Sequence, residues 1–352
     1  MRPHKTHGLF VSIAVAAVGF LTADCAESDP PSVAAGKEHY ATYCALCHGA
    51  NGEGYRADDA TALANAKFLS LAGDAYLQRS IANGRPGTTM SAWSKERGGP
   101  LDDVAIQSIM AYLRTLTPHT AEPTTDLRPA GRADAATALY TAKCETCHGV
   151  RGEGARYVKL GNPEFLYVAD DGFLLRSIED GRPGTPMPGF AGQTSPDERA
   201  NLVALIRSWQ RPPDAPIPLP PRAEDLPGPG TLNPTATDPG FPLDRRFVPA
   251  DEVKAALDRG QRLIVLDARP PQDYARAHVT GAVSVPFYEA ALYAPKVPKD
   301  VTVIAYCGCP HAESGAAVDA LKAAGHERAF VLDEGFGVWR ERGYPVRGGS
   351  TP

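Results

Sequence analysis

The pattern of apolar positions predicts helices in the first two thirds of the 352-residue chain. Apolar residues recur at helical spacing in Asp102–Leu116 and again in Asp197–Trp209. Two shorter predicted helices, Ala35–Tyr43 and Ala135–Lys143, each lead directly into a pair of cysteines. The shared order of short helix, cysteine pair and long helix indicates two helical units of similar construction.

The last third of the chain has a different pattern, in which strand and helix signals alternate. Arg262–Leu266, Val301–Tyr306 and Ala329–Leu332 are apolar runs of strand length, and Ser314–Ala324 has the pattern of a helix. This alternation predicts a small α/β domain with a parallel sheet. The segment before it, residues 213–246, is rich in proline and predicts a semi-rigid linker with no core of its own.

The two helical units are copies of one another. The run Tyr43–Gly49 (YCALCHG) recurs as Lys143–Gly149 (KCETCHG), and Gly84–Met90 (GRPGTTM) recurs as Gly181–Met187 (GRPGTPM). Duplication followed by small changes in loop length produces this pattern. The predicted units are, in order, a targeting segment (1–25), a first repeat (32–117), a linker (118–131), a second repeat (132–212), the proline-rich linker (213–246) and a C-terminal α/β domain (247–348).

The amino terminus has the pattern of an export signal. Basic residues among the first seven positions precede an uncharged apolar run, Gly8–Ala23, that is shorter than a bilayer span. We therefore expect an exported or periplasmic protein. Part of a lipoprotein cleavage site is present in Leu21–Cys25, which would make Cys25 a lipid anchor and the only membrane attachment; ordinary cleavage near Ala23 or Ala26 is the alternative.

Charge and cysteine content narrow the class of protein further. The net charge is −5 and no basic patch is visible, so we expect no nucleic-acid partner. Seven cysteines in an exported chain would suggest a disulfide framework. Their spacing indicates other chemistry.

Each repeat contains Cys-x-x-Cys-His, the sequence of covalent haem attachment. Two thiols one helical turn apart can each add to a vinyl group of the porphyrin, and the adjacent histidine then lies beneath the iron. The alternatives are a zinc site or a redox dithiol, but zinc needs four ligands close together and these pairs lie a hundred residues apart. We therefore predict two covalently bound haem c groups, held by Cys44, Cys47, Cys144 and Cys147 and ligated by His48 and His148.

Met90 and Met187 are the predicted sixth ligands of the two irons. They are two of only four methionines and stand at equivalent positions in a loop rich in proline and glycine, which offers no helical face to bury them. With these ligands, both repeats resemble class I cytochrome c domains. The resemblance implies a small helical fold around haem, outer-sphere electron transfer and redox partner proteins. A dihaem peroxidase would need an open haem, and the two methionines argue against one.

The C-terminal domain contains the runs Leu266–Arg269, His278–Ala282 and Glu334–Trp339, and Cys307 follows an apolar strand. In this order the runs are similar to the rhodanese (sulfurtransferase) fold. Loop amides and a helix N-terminus around such a cysteine lower a thiol pKa and favour bound anions. The resemblance implies that Cys307 carries a persulfide and passes sulfur to a thiophilic acceptor.

Four further residues were assigned to this site. Asp267 and Arg269 lie at the carboxyl end of the preceding strand, where they could support the Cys307 loop. Cys309 is a candidate resolving thiol, or a disulfide partner of Cys307. His311 could supply part of the positive charge, because the loop holds no arginine to bind thiosulfate. The loop is one residue longer than in most sulfurtransferases, but without an arginine we expect no phosphatase activity.

The predicted fold class is a multidomain chain of two all-α cytochrome c domains followed by an α/β rhodanese-like domain. The predicted function is that of an exported dihaem c-type cytochrome whose electron transfer is coupled to persulfide chemistry at Cys307, with a small sulfur compound as substrate. The alternative is a respiratory electron carrier whose rhodanese-like domain is an inactive docking or sensing module. The sequence leaves open which of the two holds, and therefore whether the chain is an enzyme.

Overall fold

The computed structural model describes Met1 and residues 30–55, 59–154, 156–308 and 311–352. The predicted targeting segment with Cys25, and the predicted resolving thiol Cys309, lie outside the described residues. Residues 31–352 form one compact body, within which all contacts described below are made. In the described ranges, no helix has both the length and the apolar character that crossing a bilayer requires.

The first repeat is built from α1 (Val33–Tyr43), α2 (Ala45–His48), α3 (Ala66–Leu71), α4 (Asp74–Asn83) and α5 (Asp103–Leu113). The two predicted helices of this repeat are α1 and α5, and they pack against each other. Their contact is close because Gly36 of α1 lies against the backbone of α5: a Cβ on Gly36 would stand 1.9 Å from the Ser108 carbonyl oxygen. Ile106 and Ile109 of α5 are completely buried in the resulting core.

The second repeat is built from α6 (Thr137–Lys143), α7 (Glu145–His148), α8 (Pro163–Val168), α9 (Asp171–Asp180) and α10 (Pro196–Arg207). α6 is shorter than predicted because a 3-10 turn, Asp134–Ala136, replaces its first turn. α10 begins at a capping box, in which Ser195 and Glu198 satisfy each other's backbone amides. The duplicated sequence therefore folds into duplicated helices.

The C-terminal domain is an α/β unit around a parallel sheet, as the alternating pattern predicted. Its strands are β1 (Phe247–Val248), β2 (Leu263–Asp267), β3 (His278–Val279), β4 (Val283–Ser284), β5 (Thr302–Tyr306), β6 (Ala329–Leu332) and β7 (Val346–Arg347). The sheet order is β1-β6-β5-β2-β4, and β3 pairs separately with β7 in antiparallel orientation. Its helices are α11 (Ala250–Asp258), α12 (Pro271–Arg276), α13 (Ala290–Tyr293), α14 (Ala312–Ala323) and α15 (Gly335–Glu341).

The proline-rich segment, predicted as a semi-rigid linker with no core of its own, lies along the C-terminal domain. Ala223 is completely buried, and the backbone amide of Leu232 donates to the Leu263 carbonyl of β2 over 2.8 Å. Lys296 Nζ donates to three carbonyls of the segment, among them that of Leu226 at 2.8 Å. Proline lacks an N–H but keeps its carbonyl, so donors from a neighbouring domain can bind such a chain without secondary structure.

The contact at Gly36 predicts a large effect of a small substitution. Gly36→Ala should lower the free energy of unfolding by about 1–3 kcal/mol or more, because the new methyl group cannot fit against the α5 backbone unless the helices separate. Urea unfolding followed by circular dichroism measures the difference. The matched control is Gly192→Ala in the second repeat, where a Cβ meets no atom within 4 Å and wild-type stability is expected. Equal stability of the two variants would contradict the predicted helix contact.

Candidate functional site

Two short helices carry the predicted haem-attachment residues. α2 follows Cys44 and ends at His48, and α7 follows Cys144 and ends at His148. His48 Nδ1 lies 2.8 Å from the Thr61 carbonyl oxygen. Because a carbonyl only accepts hydrogen bonds, Nδ1 carries the proton and Nε2 keeps the lone pair that binds a metal.

The second repeat has the same arrangement. His148 Nδ1 lies 2.9 Å from the Val158 carbonyl oxygen. The turn after each histidine is held by a buried tyrosine: the hydroxyl of Tyr40 donates to the Gly49 carbonyl over 2.8 Å, and Tyr140 does the same in its own repeat. Burial lowers the pKa of both imidazoles, which favours the neutral form that ligates a metal.

The four thiols beside these histidines are partly buried and are not joined in disulfides. Burial raises the pKa of Cys44 to about 12 and that of Cys144 to about 11. Each repeat therefore offers two thiols that are not in a disulfide and lie one turn apart. It also offers a histidine whose Nε2 is unprotonated and free to bind a metal. This donor set fits haem c in both repeats.

The loops with the predicted sixth ligands have one conformation in both repeats. The backbone amide of Arg85 donates to the Met90 carbonyl over 2.7 Å, and the equivalent bond in the second repeat, from Arg182 to Met187, is 2.9 Å. The glycine before each arginine has a positive φ, which a β-carbon would strain: a Cβ on Gly84 would also lie 2.3 Å from the carbonyl oxygen of Ser91. The repeated Gly-Arg-Pro-Gly signature thus encodes a tight loop that presents methionine.

The two repeats meet face to face through equivalent residues. Asn65 Nδ2 donates to the Pro183 carbonyl over 2.8 Å, and Asn162 Nδ2 donates to the Pro86 carbonyl over 2.9 Å. Each asparagine therefore reaches from one repeat into the methionine loop of the other. This exchange relates the repeats by an approximate two-fold axis.

Aromatic rings and two arginines complete the contact between the repeats. Tyr76 stacks on its counterpart Phe173 with ring centroids 4.8 Å apart. The guanidinium of Arg85 lies 5.8 Å from the ring centroid of Phe165 in the other repeat, and Arg182 lies 5.9 Å from that of Phe68. Burial lowers the pKa of Arg182.

Sequence reasoning missed the two asparagines. Their signal is present, because Asn65 stands three residues before Phe68 and Asn162 three residues before Phe165. In both places the side-chain oxygen accepts from the backbone amide of the phenylalanine and caps the helix, which leaves the amide nitrogen to cross to the other repeat. A comparison of the repeats beyond the cysteine and methionine motifs would have found the pair.

Cys307 lies where the sequence predicted, directly after β5 and at the entrance to α14. Its side chain is completely buried, with 0% of the residue exposed. Cys307 Sγ lies 3.3 Å from the Ser314 hydroxyl, and the Cys307 carbonyl accepts a hydrogen bond of 2.9 Å from the Phe336 amide. The loop is therefore fixed from both α14 and α15.

Asp267 and Arg269 pair with each other beneath this loop. Arg269 Nε donates to Asp267 over 2.8 Å, and the Tyr306 hydroxyl donates to the same carboxylate over 2.7 Å. Burial alone would lower the pKa of Arg269, but the charge and hydrogen bonds of Asp267 raise it. Both residues lie at the carboxyl end of β2, and the guanidinium is bound to a carboxylate; their support of the Cys307 loop stays a prediction.

The side chain of His311 binds Asp333 and is not directed to Cys307. Its Nε2 lies 2.9 Å from Asp333 Oδ1 and 2.7 Å from the Asp333 carbonyl oxygen, and its ring packs on Phe247. A histidine held in this way does not direct its charge to an anion at Cys307. The expectation that His311 replaces the missing arginine stays a prediction without support from these contacts.

Glu313, in the first turn of α14, is a buried acid near Cys307 that sequence reasoning did not single out. The residue is 8% exposed. Burial raises the pKa of Glu313 well above its usual value, and the nearby Cys307 and Asp273 raise it further, while Arg269 opposes them. A pattern of polar and apolar positions gave no signal, because glutamate in a first helical turn is ordinarily exposed.

The mouth of the Cys307 loop is in contact with the first repeat. A Cβ on Gly308 would stand 3.4 Å from Thr89 Cγ2, so this glycine lies against the methionine loop. The hydroxyl of Ser91, which follows Met90, donates to Asp273 Oδ2 over 2.5 Å. The chain thus brings the Met90 loop and the Cys307 loop together.

A cluster of aromatic rings joins the same two units. Tyr43 and Trp93 of the first repeat meet Phe287 and Tyr288 of the C-terminal domain, with ring centroids 5.8 Å apart for Tyr43 and Tyr288 and 6.3 Å apart for Trp93 and Phe287. Tyr43 directly precedes Cys44, and α14 packs against α2. The C-terminal domain therefore covers part of the attachment helix of the first repeat.

Comparison with known proteins agrees with this division of the chain. The family model "cytochrome C oxidase, cbb3-type, subunit III" matches residues 31–113 and 131–206, and the model of the rhodanese-like domain matches residues 249–342. The chain thus carries two cytochrome c domains of the cbb3 type followed by a rhodanese-like domain, and the predicted fold class is confirmed. The cytochrome c domains imply covalently bound haem c and electron transfer.

The chain is similar to two named oxidase subunits. It is 29% identical over 197 residues to the cbb3-type cytochrome c oxidase subunit CcoP of Azospirillum sp. (strain B510), which covers 50% of this chain and 62% of the relative. It is 31% identical over 185 residues to the subunit FixP of Azorhizobium caulinodans, which covers 50% of this chain and 59% of the relative. The chain therefore spans about six tenths of the length of these relatives.

Among solved structures, the rhodanese-like domain of a protein from Anabaena sp. is 24% identical. The match covers 30% of this chain and 80% of that domain, with a TM-score of 0.28.

The buried acid beside Cys307 predicts a pH dependence of stability. A carboxyl group with a raised pKa keeps its proton in the folded state at a pH where the unfolded chain, with a pKa of about 4.3, has lost it. Stability therefore falls as the pH rises above that value. The fall in the free energy of unfolding amounts to about 1.4 kcal/mol for each unit by which folding raises the pKa of Glu313. Glu313→Gln cannot ionise and should therefore show no such fall.

Urea unfolding of the wild type and Glu313→Gln at a series of pH values, from about 4 near the usual carboxyl pKa to about 9, measures this difference in the free energy of unfolding. The control is Asp319→Asn on the same helix, where the hydrogen bond from Arg246 lowers the pKa of the carboxyl. That variant should lose stability at neutral pH, which is the opposite sign. A Glu313→Gln curve parallel to the wild-type curve would contradict the assignment.

Proposed function

We propose that this protein is an exported cytochrome that carries electrons between redox partner proteins through two haem c groups. Haem c supplies one-electron oxidation and reduction when it is bound. The first group would be held by Cys44 and Cys47 and ligated by His48 and Met90. The second would be held by Cys144 and Cys147 and ligated by His148 and Met187. Filling of both axial positions disfavours substrate binding at iron.

The contact between the two repeats supports a relay from one repeat to the other. The methionine loop of each repeat is bound by an asparagine of the opposite repeat, Asn65 or Asn162. Stacked aromatic rings and guanidinium–aromatic contacts join the same face of the two repeats. Because the two loops are fixed against each other, electron exchange between the repeats needs no rearrangement of the chain.

The similarity to oxidase subunits suggests the direction of electron flow. The relatives CcoP and FixP are named as subunits of the cbb3-type cytochrome c oxidase. We place the present chain, by this relationship, in respiratory electron transfer with an oxidase-type partner. The rhodanese-like domain is then an addition to that role.

The number of haem groups is directly measurable. The chain produced in a host with haem c maturation should exceed the mass of the unmodified polypeptide by two haems. Replacement of Cys44 and Cys47 by alanine should remove one haem, and the same change at Cys144 and Cys147 should remove the other. Intact-protein mass spectrometry decides the outcome. Cys307→Ser is the control that should keep both, and a wild-type protein with fewer than two would contradict the proposal.

We propose further that the rhodanese-like domain supplies electrons from sulfur compounds. The observation that carries this is the contact between the Met90 loop and the Cys307 loop, made by Thr89 with Gly308 and by Ser91 with Asp273. Transfer of sulfane sulfur from thiosulfate to the Cys307 thiolate forms one S–S bond, breaks another and releases sulfite without net oxidation. Joining that persulfide, as its anion, to a second thiol as a trisulfide would then release one proton and two electrons, and the two oxidised haems would take up one electron each.

Sulfur-driven reduction tests this coupling. Glutathione persulfide added anaerobically to the oxidised protein should reduce it, and Cys307→Ser should reduce at a rate lower by about tenfold or more, the size of effect expected when a nucleophile is removed. The reduced α-band gives the rate. Cys307→Ser must remain reducible by dithionite, which is the control for intact haem sites. Equal rates for wild type and variant would contradict the coupling.

A second function is favoured by the burial of Cys307. Among the described residues of this site, Cys307 is 0% exposed and the Arg269 guanidinium is engaged by Asp267, which disfavours binding of an anionic sulfur donor there. On this basis the rhodanese-like domain would be a docking or sensing module of a respiratory carrier. Mass spectrometry after treatment with the persulfide separates the two functions, because only an active site gains one sulfur atom on Cys307.

A further inference from the structure

The hydrogen bond between Ser91 and Asp273 joins two functional loops that belong to different domains. Ser91 follows Met90 directly in the chain, and the residue is 4% exposed. Asp273 lies in the first turn of α12, which begins just after Arg269. The side chain of Arg269 borders the Cys307 loop, since a Cβ on Gly308 would lie 3.7 Å from Arg269 Cδ.

The segment of Met90 and Ser91 is held from two sides. On one side, the Arg85 amide donates to the Met90 carbonyl over 2.7 Å, and Gly84 lies against the Ser91 carbonyl. On the other side, the Ser91 hydroxyl donates to Asp273 over 2.5 Å. The segment of Met90 and Ser91 is therefore attached to a carboxyl group of the rhodanese-like domain.

The second repeat shows that the loop does not need this hydroxyl to fold. Pro188 stands where the first repeat has Ser91, and it has no side-chain donor. The loop of the second repeat nevertheless keeps the same backbone bond, from Arg182 to Met187, at 2.9 Å. The serine hydroxyl is thus a feature of the one loop that touches the C-terminal domain.

Two neighbouring contacts make the junction continuous. Thr89 lies against Gly308, and Gly98 lies against Pro271 and Leu219, since a Cβ on Gly98 would stand 3.2 Å from Pro271 Cβ. Gly98 has φ +80°, a conformation that L side chains rarely adopt. The first cytochrome domain therefore contacts the C-terminal part of the chain at Thr89, Ser91 and Gly98, and Thr89 lies against the Cys307 loop itself.

We propose that Asp273 is a positioning residue for the iron ligand Met90, and that it couples the Cys307 loop to the first haem site. The proposal rests on the proposed function in so far as Met90 ligates iron. The coupling works in both directions. A contact between the two loops changes the conformational equilibrium of the Met90 loop and that of the Cys307 loop by the same factor. Displacement of Asp273 by a group entering at Cys307 would loosen Met90, and loss of the Met90 position would open access to Cys307.

The first arm of the test observes Met90 in the holoprotein. Each thioether bound to a low-spin haem gives its own shifted methyl resonance in proton NMR, and Met90→Ala and Met187→Ala assign the two signals. Asp273→Ala and Ser91→Ala should each weaken the Met90 signal. At a fixed potential, the ratio of reduced to oxidised haem in the first repeat should also fall by roughly tenfold, which corresponds to the loss of a charge-assisted hydrogen bond. The Met187 signal is the internal control and should not change.

Two comparisons make this effect specific. Asp273→Asn keeps an acceptor oxygen for the serine and should retain the Met90 signal. The double variant of Asp273 and Ser91 should match the single variants, because both changes remove one and the same bond. If Asp273→Ala fails to fold, Ser91→Ala alone decides this arm.

The second arm observes Cys307 and is independent of iron ligation. Alkylation of the folded holoprotein by iodoacetamide, followed by peptide mass spectrometry to separate Cys307 from Cys309, should be roughly tenfold faster in Ser91→Ala and Asp273→Ala. Gly192→Ala, for which wild-type stability is expected, is the control and should react like wild type. Unchanged NMR signals together with unchanged alkylation would overturn the proposal. A wild-type protein without a Met90 signal would refute the proposed ligation, while the alkylation rates would still decide the coupling.

Discussion

The structure depends on the tight loop in which Met90 stands. A glycine with positive φ, an arginine that bonds back to the methionine carbonyl and a short proline-containing turn fix its shape. The same loop touches the second repeat at Pro86 and the rhodanese-like domain at Thr89 and Ser91. One segment of eight residues, Gly84–Ser91, thus contacts both of the other domains.

The two faces of the first repeat are built from different interactions. Towards the second repeat, asparagine amides and arginine–aromatic contacts are repeated about an approximate two-fold axis. Towards the rhodanese-like domain, a cluster of aromatic rings and a single serine–carboxyl bond have no counterpart in the repeat. Repetition explains the first face, whereas the second face required changes in one copy alone, such as Tyr43 where the other copy has Lys143.

Much of the fold and of the site could be predicted because the information is local. The sequence pattern located α1, α5 and α10, although α5 ends at Leu113 and not at the predicted Leu116. Apolar runs located β2, β5 and β6 closely. Motif spacing places thiols, imidazoles and thioethers in each repeat without any knowledge of packing. Helices α3, α4, α8 and α9 were not predicted. α3 and α8, with six residues each, are too short to show a full apolar stripe.

Contacts between domains could not be predicted in the same way. Nothing in the composition of the proline-rich segment shows that its carbonyls accept hydrogen bonds from Lys296, or that it follows the surface of the C-terminal domain. The turn of His311 towards Asp333 and the burial of Glu313 likewise follow from tertiary packing. These features depend on which surfaces meet, and residue patterns along one chain carry no record of that.

The difference between Ser91 and Pro188 makes the two methionine loops, and therefore the two ends of the duplicated unit, unlike each other. The second copy of the loop has prolines at positions 186 and 188, both exposed, where the first copy turns Thr89 and Ser91 towards its neighbour. In this near-symmetric pair of domains, one methionine loop therefore contacts the rhodanese-like domain of the same chain, and the equivalent positions of the other loop are exposed. The two ends of this duplicated unit are therefore not equivalent: the Met90 loop lies against the rhodanese-like domain, whereas the corresponding prolines of the Met187 loop are exposed.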